Sequence, residues 1–131
     1  MFLSIFAVGC DASRSRAVDV AHEVGVPKLR ADLQTVVASP AGQKHEIPKT
    51  AWPSSVQRFK PLAVERHMSG VLIVLSRGGR KQEGLLVMLH AKDDPGAGGS
   101  GAGYDGLGDG LFWCWEKLRD PYIPMEQRTN R

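Results

Sequence analysis

Four histidines, two cysteines and fourteen carboxylates are the groups with which this 131-residue chain could do chemistry. Glu65 and His67 stand two residues apart, so on a strand both project from one face. His90, on a second candidate strand, could complete a proton-transfer or metal constellation if the register brought it near. These three residues define an enzyme alternative, a small hydrolytic or metal-dependent protein. Against it, His22, His45, His67 and His90 show none of the short spacings of zinc sites. No nucleophile, base and orienting group occur in a recognisable pattern. The sequence therefore assigns no catalytic residue, no metal ligand and no cofactor.

Cys114 lies between Trp113 and Trp115. On a strand it shares a face with Phe112, while the two indoles occupy the other. A reactive thiol needs a helix N-terminus or a cationic neighbour, and neither is visible, so Cys114 reads as a core residue. Gly96-x-Gly98-x-x-Gly101 spells the dinucleotide fingerprint. That fingerprint needs a strand directly before it and a helix directly after, and here Lys92-Asp93-Asp94-Pro95 precedes it and more glycine follows. Ser100 to Leu107 resembles one calcium-binding β-roll repeat, but such sites need stacked copies. Asp93, Asp94, Asp105 and Asp109 read as carboxylates of a solvated loop.

Charge supplies a second alternative. Between residues 44 and 81 there are eight cations against two carboxylates. Lys44, Lys60, Arg66, Arg77, Arg80 and Lys81, beside Trp52 and Phe59, could bind RNA or single-stranded DNA by charge and stacking. Their spacing matches no known reader motif, and the whole chain carries only +3.

The elements that must position these groups follow from periodicity. Residues 11–39 read as helical, with Asp11 or Ser13 as cap and Ala17, Val18, Ala21 and Val24 as an apolar stripe. Gly25 divides the stretch, and Pro27 suits the first turn of a second helix bearing Leu29, Leu33, Val36 and Val37. A connection rich in proline spans 40–61, anchored by Ile47 and Trp52. The sheet region spans 62–116, with strands at 62–67, 70–75, 84–90 and 111–115 and a two-residue hairpin turn at Gly78-Gly79. Residues 93–110 read as a glycine-rich loop, and 121–131 as a polar tail. The length and the 42% hydrophobic content fit one globular domain.

The N-terminal run Met1 to Gly9 is apolar and ends at Cys10, similar to a lipoprotein cleavage site. No Lys or Arg precedes the run, which favours a buried strand at 2–8 over a lipid anchor on Cys10. No run is long enough to span a bilayer as a helix, and the expected location is cytoplasmic.

Trp52 to Val64, followed by Gly70 to Leu75 and Gly84-Leu85, resembles a group of small uncharacterised bacterial proteins. Their pattern is a proline, a helical turn, a second proline and a hairpin with a glycine-led strand. The resemblance covers the middle third and implies a helix-plus-antiparallel-sheet fold; it carries no activity.

The fold expected is α+β, with N-terminal helices on an antiparallel sheet centred on 70–75 and 84–90. Its core should hold Val71, Ile73, Leu75, Leu85, Val87 and Leu89, with Leu33, Val36, Phe112 and Trp113. Both central strands are apolar on both faces, and two short helices cover only one. The other face, near Trp113, Trp115 and Met88, is then expected to bury itself against a second copy. A different protein or an apolar small ligand would serve the same need. The function read from sequence is thus a small non-catalytic binding or interaction module, self-associating as a homodimer.

Overall fold

The computed structural model describes residues 9–96, 98–99 and 101–118, with side chains from Ser13 onward. The expected strand at 2–8 and the tail at 121–131 lie outside the described residues.

Helix α1 (Gly9–Val24) and helix α2 (Val26–Val37) fill the predicted helical stretch. Asp11 and Ser13 lie inside α1, so neither caps it, and the backbone of Cys10 is helical. Gly25 is the only residue between the helices. Its φ of +97° is open to glycine alone at no steric cost, its N–H donates to Ala21 O at 2.9 Å, and its carbonyl accepts from Leu29 N at 3.0 Å. Pro27 sits in the first turn of α2, whose buried stripe is Val26, Leu29, Leu33 and Val36. The connection carries two 3-10 turns, Pro40–Gln43 and Lys49–Ala51, and the short helix α3 (Ser54–Gln57).

Five strands follow: β1 (Ala63–His67), β2 (Gly70–Gly78), β3 (Lys81–Met88), β4 (Ala102–Gly108) and β5 (Leu111–Lys117). They form one antiparallel sheet in the order β1-β2-β3-β5-β4, which is the α+β architecture expected. Three local expectations are corrected. The β2–β3 turn is Gly79-Arg80, because Gly78 pairs with Lys81, and only Gly79 has positive φ. Leu89 and His90 lie past the end of β3. The segment 93–110 is not all loop, since its second half forms β4. Glycines there weaken local strand propensity, but pairing with β5 sets Gly103 beneath the Trp115 indole and Gly106 beside the Phe112 ring. Aromatic rings on the neighbouring strand fill the space that glycine leaves.

The sheet is curled. His67 on one edge strand and Tyr104 on the other touch, Nε2 to Oη, at 2.9 Å. Three strands separate β1 from β4, and in a flat sheet the two would lie about 19 Å apart. Bulges at Leu75 in β2 and Leu107 in β4 add twist. Gly84 permits close approach at the centre: a Cβ there would lie 2.0 Å from Ile73 O.

Curling creates two cores. The helices pack on the convex face over Val71, Ile73, Leu85, Val87, Leu111 and Trp113. The concave face encloses Ala63, Leu72, Val74, Leu86, Met88 and Cys114. Leu75 and Leu89 are half-buried beside the first core. Phe112, expected with Trp113, packs instead on the concave side, as alternation along β5 requires.

Candidate functional site

The partner surface expected from sequence changes once the curl is known. Met88 has 0% of its surface exposed and Trp113 has 1%, so neither can meet a second molecule. The area argument for an uncovered face falls with them, because the concave face closes within the chain. Trp115 is half-buried over Gly103 and receives the Lys81 ammonium over its ring at 5.8 Å.

The concave face gathers polar groups at its two ends. At one end the His67–Tyr104 contact spans the opening, and Tyr104 also donates to Met68 Sδ at 3.8 Å. At the other, four adjacent strands contribute one polar side chain each. Arg77 of β2 donates through Nε to Gln82 Oε1 of β3 at 2.9 Å and through Nη2 to Glu65 Oε2 of β1 at 3.3 Å. The Gln82 amide donates to Glu65 Oε1 at 3.2 Å and to Glu116 Oε2 of β5 at 2.5 Å. Gln82 is buried, so these bonds answer a desolvation cost it would otherwise carry. The network ties the strands together across the sheet.

Glu65 and His67 do share a face, as alternation requires. They face different partners, however, and His90 stands exposed in the turn after β3, so the three do not converge. Cys114 sits on the floor of the concave face. Burial, then the Glu116 and Glu65 carboxylates, push its thiol up to about 12; burial likewise raises Tyr104, with Cys114 and Glu116 adding to it. A thiol in that state is protonated at neutral pH and is a poor nucleophile. Among the described residues no group of three or more His, Cys, Asp or Glu is placed to hold a metal. Asp94 accepts from Gly96 N at 2.7 Å, and Asp105 pairs with Arg14 at 2.8 Å. The glycine fingerprint runs into β4, where a nucleotide site would need a helix.

The six cations of the nucleic-acid alternative are divided among separate elements. Arg77 pairs with Glu65 at 3.3 Å and Lys81 with Glu83 at 3.7 Å. Arg66 donates to Gly42 O at 2.9 Å. Lys44 follows a 3-10 turn, Lys60 follows α3 and Arg80 is in the β2–β3 turn. Sequence reasoning missed Tyr104, Gln82 and Glu116. The alternation Phe112, Cys114, Glu116 could have placed the last on the concave face; Tyr104 was hidden in what read as a loop.

The two sheet edges differ. Outside β1 runs the segment 45–47: Ile47 N donates to Val64 O at 2.8 Å, and Arg66 N donates to His45 O at 2.7 Å. Outside β4, among the described residues, only Gly99 is paired, exchanging bonds with Ala102. The outward direction at Ala102 recurs every second residue, so Tyr104 and Gly106 also aim their backbone N–H and C=O away from β5. Among the described residues no strand lies alongside them. This edge lacks the Lys and Pro that commonly block edge pairing, and its one charge, Asp105, is taken up by Arg14.

Comparison with protein-family models, with curated proteins and with solved structures gives no match for this chain. No helix among the described residues is long and apolar enough to cross a membrane.

Proposed function

We propose that the protein is a non-catalytic interaction module that self-associates by strand addition at β4. The observation that carries this reading is the asymmetry of the edges among the described residues: β1 is occupied by a segment of its own chain, and no described strand pairs with β4 at Tyr104 and Gly106. A second copy, related by a two-fold axis through β4, presents the same row of donors and acceptors in antiparallel sense. The pairing joins two five-stranded sheets and replaces the buried Trp113 and Met88 surface as the contact.

The contact is short, so a moderate affinity is expected, with a Kd of about 10 μM. Light scattering at ~100 μM should then give close to twice the monomer mass. Gly106→Pro removes an outward donor without touching the bonds to β5, and should leave a folded monomer with an unchanged circular dichroism spectrum. A wild-type monomer at that concentration defeats the proposal. A dimer that persists in folded Gly106→Pro means that another surface makes it.

A further inference from the structure

We infer that Met68 is an oxidation site for a peroxide, and that its sulfoxide is captured by Tyr104, tightening the contact that closes the curled sheet. The inference is independent of strand addition at β4. The two methionines among the described residues are opposites: Met88 has 0% of its surface exposed and Met68 has 64%. Exposure alone would only make Met68 oxidisable. What sets it apart is a hydrogen-bond donor already aimed at its sulfur.

Met68 is the first residue of the two-residue turn between β1 and β2, since His67 pairs with Gly70. The turn is pinned, because Ser69 O accepts from Leu89 N at 3.0 Å. From it the Met68 side chain reaches the opposite edge strand, where Tyr104 Oη donates to Sδ at 3.8 Å. A phenol has a single proton. With that proton on the sulfur side, the 2.9 Å contact to His67 requires a hydrogen on Nε2, donated to Oη. The chain of donors therefore runs from His67 to Tyr104 to Met68. Burial raises the Tyr104 hydroxyl above its ordinary value, so it stays a donor through neutral and mildly alkaline pH.

A thioether is a weak acceptor, and oxidation replaces it with a strong one. The sulfur lone pair attacks one peroxide oxygen, and the S–O bond forms as the O–O bond breaks. The departing hydroxide takes the proton of the transferred oxygen and leaves as water. Sulfur gives up an electron pair and the peroxide is reduced. An oxygen added to Sδ on the Tyr104 side lies within hydrogen-bond reach of Oη, because the sulfur itself is 3.8 Å away. Methionine sulfoxide usually does harm by placing a polar group in a core. Here the group stands in solvent and gains a partner.

Hydrogen peroxide is the probe, applied to the full chain at about 1 μM, below the Kd of about 10 μM expected for the dimer. Peptide mapping by mass should show Met68 oxidised at least about tenfold faster than Met88. Met68→Leu keeps every other oxidisable group and, treated alike, is the reference. Relative to it, oxidation should raise the wild-type urea midpoint by about 0.3 M. Tyr104→Phe should show no such rise. Met68→Gln puts an amide oxygen where the sulfoxide oxygen would stand, and should reproduce the rise without peroxide. No rise in oxidised wild type, an equal rise in Tyr104→Phe, or Met68 oxidised no faster than Met88 would each overturn the assignment.

Discussion

Gly84, Cys114 and Lys60 each hold a state that only their surroundings permit. A methyl group on Gly84 would meet the Ile73 carbonyl at 2.0 Å, and backbone cannot step aside as a side chain can. Gly84→Ala should therefore destabilise by about 3 kcal/mol, read as a lower urea midpoint. Cys114 is neutral in the folded chain up to about pH 12, while in the unfolded chain it ionises near its ordinary value of 9.0. The folded form then binds more protons than the unfolded one above pH 9. Its contribution to stability is complete below pH 9 and is lost as pH rises toward 12. A urea series across that window should show this decline, and Cys114→Ala should flatten it. In a Cys10→Ser background, Cys114 should react with iodoacetamide at pH 8 about a hundredfold more slowly than in the unfolded chain. Lys60→Gly should relieve the left-handed backbone and raise stability by about 0.5 kcal/mol, net of the entropy that glycine adds to the unfolded state.

At the scale of elements, the hairpins and the contact between sheet edges decide the shape. Gly79 is the one residue of the β2–β3 turn at positive φ, +57°, with open space around its Cβ position. Gly79→Ala should cost about 1 kcal/mol through backbone conformation alone. The His67–Tyr104 bond reaches between the two edge strands. Tyr104→Phe removes that bond and keeps the ring, so the expected loss is about 1 kcal/mol, with the outward backbone groups of β4 untouched. Dimer mass by light scattering should be unchanged in Tyr104→Phe and lost in Gly106→Pro. α2 also closes onto the sheet: Arg30 Nε donates to Met88 O at 2.9 Å, and Gln34 Nε2 donates to Leu89 O at 2.5 Å.

For the molecule as a whole, the sheet is one wall shared by two cores. Leu33 is buried under the helices, and Leu86 is buried on the concave side. A strand that loses one core cannot keep the other, so the chain should unfold in a single transition. Leu33→Ala and Leu86→Ala should each cost about 3 kcal/mol. In both variants tryptophan fluorescence and far-ultraviolet circular dichroism should report one midpoint. Separate midpoints would show that the helices and the curled sheet are independent units. The modest charge of +3 leaves association governed by specific surfaces rather than by long-range charge.

Local rules determined much of this protein from its sequence. The 3.6-residue stripe through Ala17, Ala21, Leu29 and Leu33, broken by Gly25 and restarted at Pro27, sets two helices. The apolar runs at 70–75 and 84–90 around Gly-Gly set the central hairpin, and alternation put Glu65 with His67 and Phe112 with Cys114. These features depend on residues within one or two turns of each other, where propensity and period operate. Tertiary structure decided the rest. Seven residues from Ala102 to Gly108, low in strand propensity, became β4 because β5 offered bonds and the Trp115 and Phe112 rings. The curl depends on bulges, on Gly84 and on contacts such as His67 with Tyr104, distant in sequence. That curl buried Met88, which the sequence assigns to a partner surface, and pairing with β5 turned the backbone groups of Tyr104 and Gly106 outward. Lys60 read from sequence as one cation among eight. Its left-handed backbone closes α3, with the N–H on Gln57 O, a conformation that side-chain periodicity does not announce.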